Sequence, residues 1–204
     1  MLTRSFLVSA AVLAVALGWY QLFRFSSTPG AQFAAPAHWP AQISLSRAPR
    51  LPTLLVFVHP RCSCTPATLS QLDSMLESTH AAVQVALVVY SSKPSEAPNG
   101  IAPNGIAPVS APATSASLLH APAQIVPDPG GLLARRFGAA TSGEIILYAA
   151  DGRLLFQGGI TPMRSEAGDG PGADALRRAL ATGTAQFRPV SVFGCPIYLP
   201  GHAG

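Results

Sequence analysis

The chain is poor in charge. Only 11% of its 204 residues are Asp, Glu, Lys or Arg, against ~25% in an ordinary soluble domain. Lys93 is the sole lysine, and the 13 basic and 9 acidic residues are scattered, with no Lys/Arg run. That pattern gives no footprint for nucleic acid. Cysteine is scarce as well. Three are too few for a disulfide scaffold, yet Cys62 and Cys64 stand one residue apart, and a C-x-C pair means either a redox couple or half of a metal site. Proline (20) and glycine (18) are plentiful, so much of the chain is turn, linker or irregular structure. Apolar residues make up 49%, enough for one core of roughly 100–150 residues.

The longest uncharged apolar run is Phe6 to Phe23, bracketed by Arg4 and Arg24. As a helix it reaches about 27 Å, close to the hydrocarbon thickness of a bilayer. Trp19 and Tyr20 sit near one end, where an interfacial aromatic belt belongs. Residues 1–24 are therefore expected to be a single transmembrane anchor, with a cleaved signal peptide as the competing reading. The favoured placement is the inner (cytoplasmic) membrane, single-pass, with the soluble domain facing the periplasm or cell exterior.

Residues 25–50 are rich in Pro, Ala and Ser and read as a linker from membrane to domain. The domain is expected over 51–185. Leu54-Leu55-Val56-Phe57-Val58 reads as a strand buried on both faces and ended by Pro60. Thr65 is a good helix N-cap with Pro66 at the first helical position, and Leu69, Leu72, Met75 and Leu76 form one apolar stripe. Val83 to Tyr90 is a second buried strand, so the three elements make a βαβ unit with parallel pairing.

Residues 91–124 read as a low-complexity loop insertion. It contains Asn99-Gly100-Ile101-Ala102-Pro103 followed by the same five residues at 104–108, and a short helix is conceivable around 115–120. Order resumes at Ile125. Leu132 to Phe137 reads as a short helix ending at Gly138. Ile145–Tyr148 and Leu154–Phe156 pair across the Asp151-Gly152 turn, and Asp174–Ala181 forms a last helix before Gly183. Residues 186–204 form an irregular tail carrying Cys195.

Cys62 lies just before the first domain helix. Unpaired backbone N–H groups and the positive end of the helix dipole stabilise a thiolate there, and Arg61 is adjacent. A lowered thiol pKa means more nucleophile at neutral pH. His59 precedes Cys62 by three residues, as a strand-end residue, a tuner of the thiolate or a ligand. His59, Cys62 and Cys64 would suit Cu(I); four-ligand structural zinc fits less well. Cys195 stays open between a resolving thiol, a third metal ligand and an apolar tail residue. Glu144 is expected to be an ordinary surface residue, with a buried proton shuttle as the alternative. Asp128 and Asp151 read as turn residues, and His38, His80, His120 and His202 lack helpful neighbours.

The element order with a C-x-C at the first strand–helix junction resembles the thioredoxin-like superfamily, in particular its membrane-anchored TlpA/redoxin type. The carriers are Val56–Cys64; Asp128-Pro129 with Leu133–Gly138; and Ile146–Leu154. His59-Pro60 before the C-x-C and the late Phe193-Gly194-Cys195-Pro196 further resemble its RedB-like branch. The resemblance implies an α/β fold with a central mixed sheet flanked by helices, and it places Cys62 in the attacking position. Two departures stand out. Thr65 occupies the usual second-cysteine position, with Cys64 one residue early. Thr141-Ser142-Gly143 replaces the usual cis-proline loop. Pro60, Arg61, Ser63, Thr65 and Ser142 are thus the site-shaping candidates around Cys62, Cys64 and Cys195.

The leading expectation is a membrane-anchored thiol–disulfide redox protein, a possible oxidoreductase without cofactor, acting on protein or small-molecule thiols and disulfides. The alternatives are a copper-handling module and a non-catalytic membrane-tethered interaction module. Peroxide reduction ranks lower, because no threonine- and proline-rich peroxidatic signature surrounds Cys62.

Overall fold

The computed structural model describes residues 2–43, 45–91, 119–185 and 188–198. A helix, α1 (Leu2–Ser27), precedes the domain. The domain then runs β1 (Thr53–Val58), α2 (Thr65–Thr79), β2 (Gln84–Ser91), β3 (Ala123–Pro129), α3 (Leu132–Phe137), β4 (Glu144–Tyr148), β5 (Leu154–Gly158) and α4 (Pro171–Thr182). The five strands form one sheet in the order β3-β2-β1-β4-β5. β1 pairs parallel with β2 and antiparallel with β4, β2 pairs parallel with β3, and β4 pairs antiparallel with β5. A βαβ unit joined to a β-hairpin and a closing helix is the thioredoxin-like arrangement, with a mixed sheet flanked by helices as the sequence predicts.

β1 is the central strand because its side chains have no polar face to offer. Side chains alternate across a strand, so Leu54, Val56 and Val58 enter one core and Leu55 and Phe57 the other. The first core is closed by the predicted stripe Leu69, Leu72, Met75 and Leu76 of α2 and by Ala173, Leu176 and Ala179 of α4. The second is closed by Leu133, Ala134 and Phe137 of α3 together with Leu45 and the half-buried Trp39.

Three expectations change. The supposed linker 25–50 is not a free tether. Its first residues belong to α1, and residues 28–43 lie across the second core as a strap. Phe33 N–H donates to Gly138 O (3.1 Å), Trp39 N–H to Gly152 O (2.8 Å) and Leu154 N–H to Ala37 O (2.9 Å). Trp39 meets Phe137 and Tyr148 edge-on, with ring centroids 5.2 and 5.3 Å away. A few apolar anchors among the prolines suffice to dock it. Gly138 lets the strap in: its φ is +75°, and a Cβ there would run into Ala34 O.

Order also resumes earlier than Ile125, because β3 is a full strand from Ala123. Its prolines 127 and 129 cannot donate to a ladder, which confines it to the sheet edge. The loop tandem repeat and most of the conceivable 115–120 helix lie outside the described residues; Leu119 and His120 are not helical. Finally, the tail returns to the domain. Val190 bridges Gly158, Pro196 bridges Thr141, and Ile197 is buried.

α1 is long and apolar enough to cross a membrane, and none of its apolar window is buried against the domain; a signal sequence passes the same test.

Candidate active site

β1 delivers His59 and Pro60 just past its C-terminal end, where two successive turns lead into α2. Cys62 N–H donates to His59 O (3.0 Å) and Thr65 N–H to Cys62 O (3.2 Å). Cys64, not Thr65, is the N-cap, and it makes no side-chain capping bond. Thr65 is instead the first helical residue, with its hydroxyl turned inward, 3.3 Å from Ser142 Oγ and 3.4 Å from His59 O. The tertiary partners on the facing loop draw it away from the capping role its type suggests.

Ser142 organises that loop. Its Oγ accepts from His59 N–H (2.9 Å) and its N–H donates to Cys195 O (2.8 Å). Cys195 thus comes from the far end of the chain to the helix start, where its N–H donates to Cys62 Sγ (3.4 Å). Gly194 is needed for this approach, since a Cβ at that position would collide with Ser142 O. Cys62 and Cys64 are buried and Cys195 is half-buried. Cys64 Sγ looks elsewhere, accepting from Ser165 Oγ at 3.4 Å.

Burial by itself would push the Cys62 thiol up. The Cys195 N–H, the Cys195 side chain, the Cys64 N–H and the Ser142 hydroxyl outweigh it, and the thiol is held below its ordinary range. Cys195 behaves oppositely. Burial, then the adjacent Cys62 sulfur and Cys64, push it up to about 11 against the pull of Arg164. His59 is pushed down by burial and by the Arg61 charge. It is therefore a neutral ring at neutral pH, not a cation beside the thiolate. Its Nδ1 accepts from Arg61 N–H (3.2 Å), and its ring stacks on Tyr90. Ser63 and Arg61 are exposed.

Among the described residues, no three His, Cys, Asp or Glu side chains are gathered as a metal-holding group.

Sequence reasoning missed Arg164 and Ser165, which no local pattern marks. Arg164 donates to Phe25 O (3.0 Å), Thr28 O (3.3 Å) and Gly194 O, and lies over the Phe25 ring. It joins the end of α1 to the loop bearing Cys195. Glu144 corrects the expectation of a surface residue. It is 0% exposed, and its carboxylate accepts from Gln32, Gln157 and Ala140 N–H at 3.1, 2.9 and 3.2 Å. Asp128 is structural but not a plain turn residue: its buried carboxylate accepts from the N–H groups of Leu133 and Ala134 at the start of α3. His120 does have a neighbour, Asp73, at 2.7 Å.

No protein-family model matches the sequence, and no curated protein is similar to it. Solved structures do resemble it. An uncharacterized conserved protein of Geobacillus kaustophilus overlays with a TM-score of 0.54 at 16% identity, over 85% of this chain and 94% of that one. A hypothetical protein of Sinorhizobium meliloti overlays at 0.51 with 20% identity, over 85% and 96%. A secreted Mycobacterium tuberculosis disulfide oxidoreductase, described as homologous to E. coli DsbE, overlays at 0.42 with 18% identity, over 64% and 81%. At these identities the likeness is one of fold.

Proposed function

We propose that this protein is a membrane-anchored thiol–disulfide oxidoreductase in which Cys62 is the attacking thiol. One observation carries the reading: Cys62 Sγ sits at the start of α2, accepting the Cys195 N–H, and its pKa is held down although the group is buried. A thiolate is the nucleophile of disulfide exchange, and a buried site that stabilises it with fixed N–H donors is built for that step.

In this reading α1 anchors the protein, and the domain lies outside the inner membrane, facing the periplasm or cell exterior. There disulfides form and persist, so substrates are protein or small-molecule thiols and disulfides.

The test is exchange with oxidised glutathione, read as glutathione release, alongside alkylation of Cys62 by iodoacetamide across pH. Wild type should exchange, and Cys62 should alkylate with a midpoint below that of an ordinary thiol. Cys62→Ser should abolish exchange. Full exchange in that variant would remove the proposal.

A further inference from the structure

The chain carries three thiols, and the C-x-C suggests that two neighbours in sequence form the couple. The geometry points to a different pairing. We infer that the disulfide formed in turnover is Cys62–Cys195, with Cys195 as the resolving thiol and Cys64 outside the couple. This rests on the exchange reading above and names its second residue.

Two observations carry it. First, Cys195 is the thiol that addresses Cys62: its N–H donates to Cys62 Sγ at 3.4 Å, and its side chain is hydrogen-bonded to the same sulfur. Cys64 offers Cys62 its backbone N–H, while its own sulfur is engaged by Ser165 Oγ. Second, Cys195 is held there on both sides. Its carbonyl accepts from Ser142 N–H (2.8 Å), Ile197 N–H donates to Ala140 O (2.8 Å), and Gly194 O accepts from Arg164. A flexible tail residue would need none of these.

The chemistry balances as follows. Cys62 thiolate attacks one sulfur of a substrate disulfide R–S–S–R′, forming Cys62–S–S–R and expelling R′S⁻. Cys195 loses its proton to R′S⁻ or to water. Its thiolate attacks Cys62 Sγ, forming the Cys62–Cys195 bond and expelling RS⁻. The protein gives up two electrons, and the substrate disulfide becomes two thiols. The reverse sequence oxidises a dithiol.

The electrostatics order these steps. While Cys62 carries its charge, that charge helps to keep Cys195 protonated. Once Cys62 enters the mixed disulfide the charge is gone, and Cys195 becomes easier to ionise when it is needed.

The experiment uses the full chain in detergent, reduced and then exposed to oxidised glutathione. Samples are quenched in acid, alkylated, proteolysed and mapped by mass spectrometry. The expected product is a Cys62–Cys195 cross-linked peptide pair with Cys64 alkylated. Cys195→Ser should accumulate glutathione on Cys62, and Cys64→Ser should still close the Cys62–Cys195 bond. A Cys62–Cys64 bond with Cys195 alkylated overturns the inference. So does glutathione that persists on Cys62 in wild type, or a Cys195→Ser variant that releases it as fast as wild type. Each of those results leaves exchange at Cys62 standing. Wild type with neither glutathione nor a disulfide on Cys62 overturns the exchange reading itself, and the pairing with it.

Discussion

At the scale of single residues, Glu144 is a buried acid held by donors from Gln32, Gln157 and the Ala140 N–H. Burial dominates over the bonds from Gln157 and Gln32 and raises its pKa to about 7, from an ordinary 4.5. Between those two pH values the native state holds a proton that the unfolded chain has released. Stability from this group is therefore complete at and below pH 4.5 and declines as pH rises to about 7. The slope should approach 1.4 kcal/mol per pH unit, an order-of-magnitude figure. Denaturant midpoints measured from pH 4.5 to 7.5 should show that decline in wild type. Glu144→Gln should flatten it, at a lower overall stability, because an amide nitrogen would face donors already in place. An equally steep decline in the variant would assign the titration elsewhere. The sequence alone suggests a surface residue here for a definite reason. It follows a Thr-Ser-Gly turn, which suggests the surface, and the donors that permit its burial come from Gln32 and Gln157, far away along the chain. Cys62 was legible because a strand end, a helix start and a thiol coincide locally. Cys195 was visible only as an unplaced third thiol, since its position depends on the tail folding back onto Ser142.

At the scale of elements, the strap over residues 28–43 matters most. Its backbone bonds to Gly138, Gly152 and Leu154 fix its path, and the Gln157 side chain donates to Phe33 O and accepts from Ala35 N–H. Trp39 supplies the aromatic contact with Phe137 and Tyr148. Full truncation of a buried tryptophan costs ~3–5 kcal/mol; for this half-buried ring about 2–3 kcal/mol is expected on the same basis. Trp39→Ala should therefore lower the unfolding midpoint of the whole domain in a single transition. An unchanged midpoint would return residues 28–43 to the role of linker. Composition hid this element, because prolines and alanines dominate it and its few anchors have no periodicity. The β1–α2–β2 unit and the β4–β5 hairpin were readable in outline, since each announces itself by a continuous apolar run, a helical stripe or an Asp-Gly turn. The edge strand β3 was not, because Pro127 and Pro129 mask a segment that pairs on one side only.

At the scale of the whole molecule, α1 either stays as an anchor or is removed as a signal sequence. The length of its apolar run favours the anchor. Membranes from an expressing bacterial host, washed with alkaline carbonate, should retain the protein, and its intact mass should include residues 1–27. A shortened chain in the soluble fraction would mean a cleaved leader.

The strap and Arg164 together decide how far Cys62 can travel from α1. A loose linker of 25 residues would let a domain range about 25–30 Å from its attachment point. Here the last turn of α1 is bonded through Arg164 to Gly194 O, one residue from Cys195. With α1 inserted in a bilayer, the thiols ride at a nearly constant height above it. Their encounters become a search over an area instead of a volume, and a reaction partner is met only at that height.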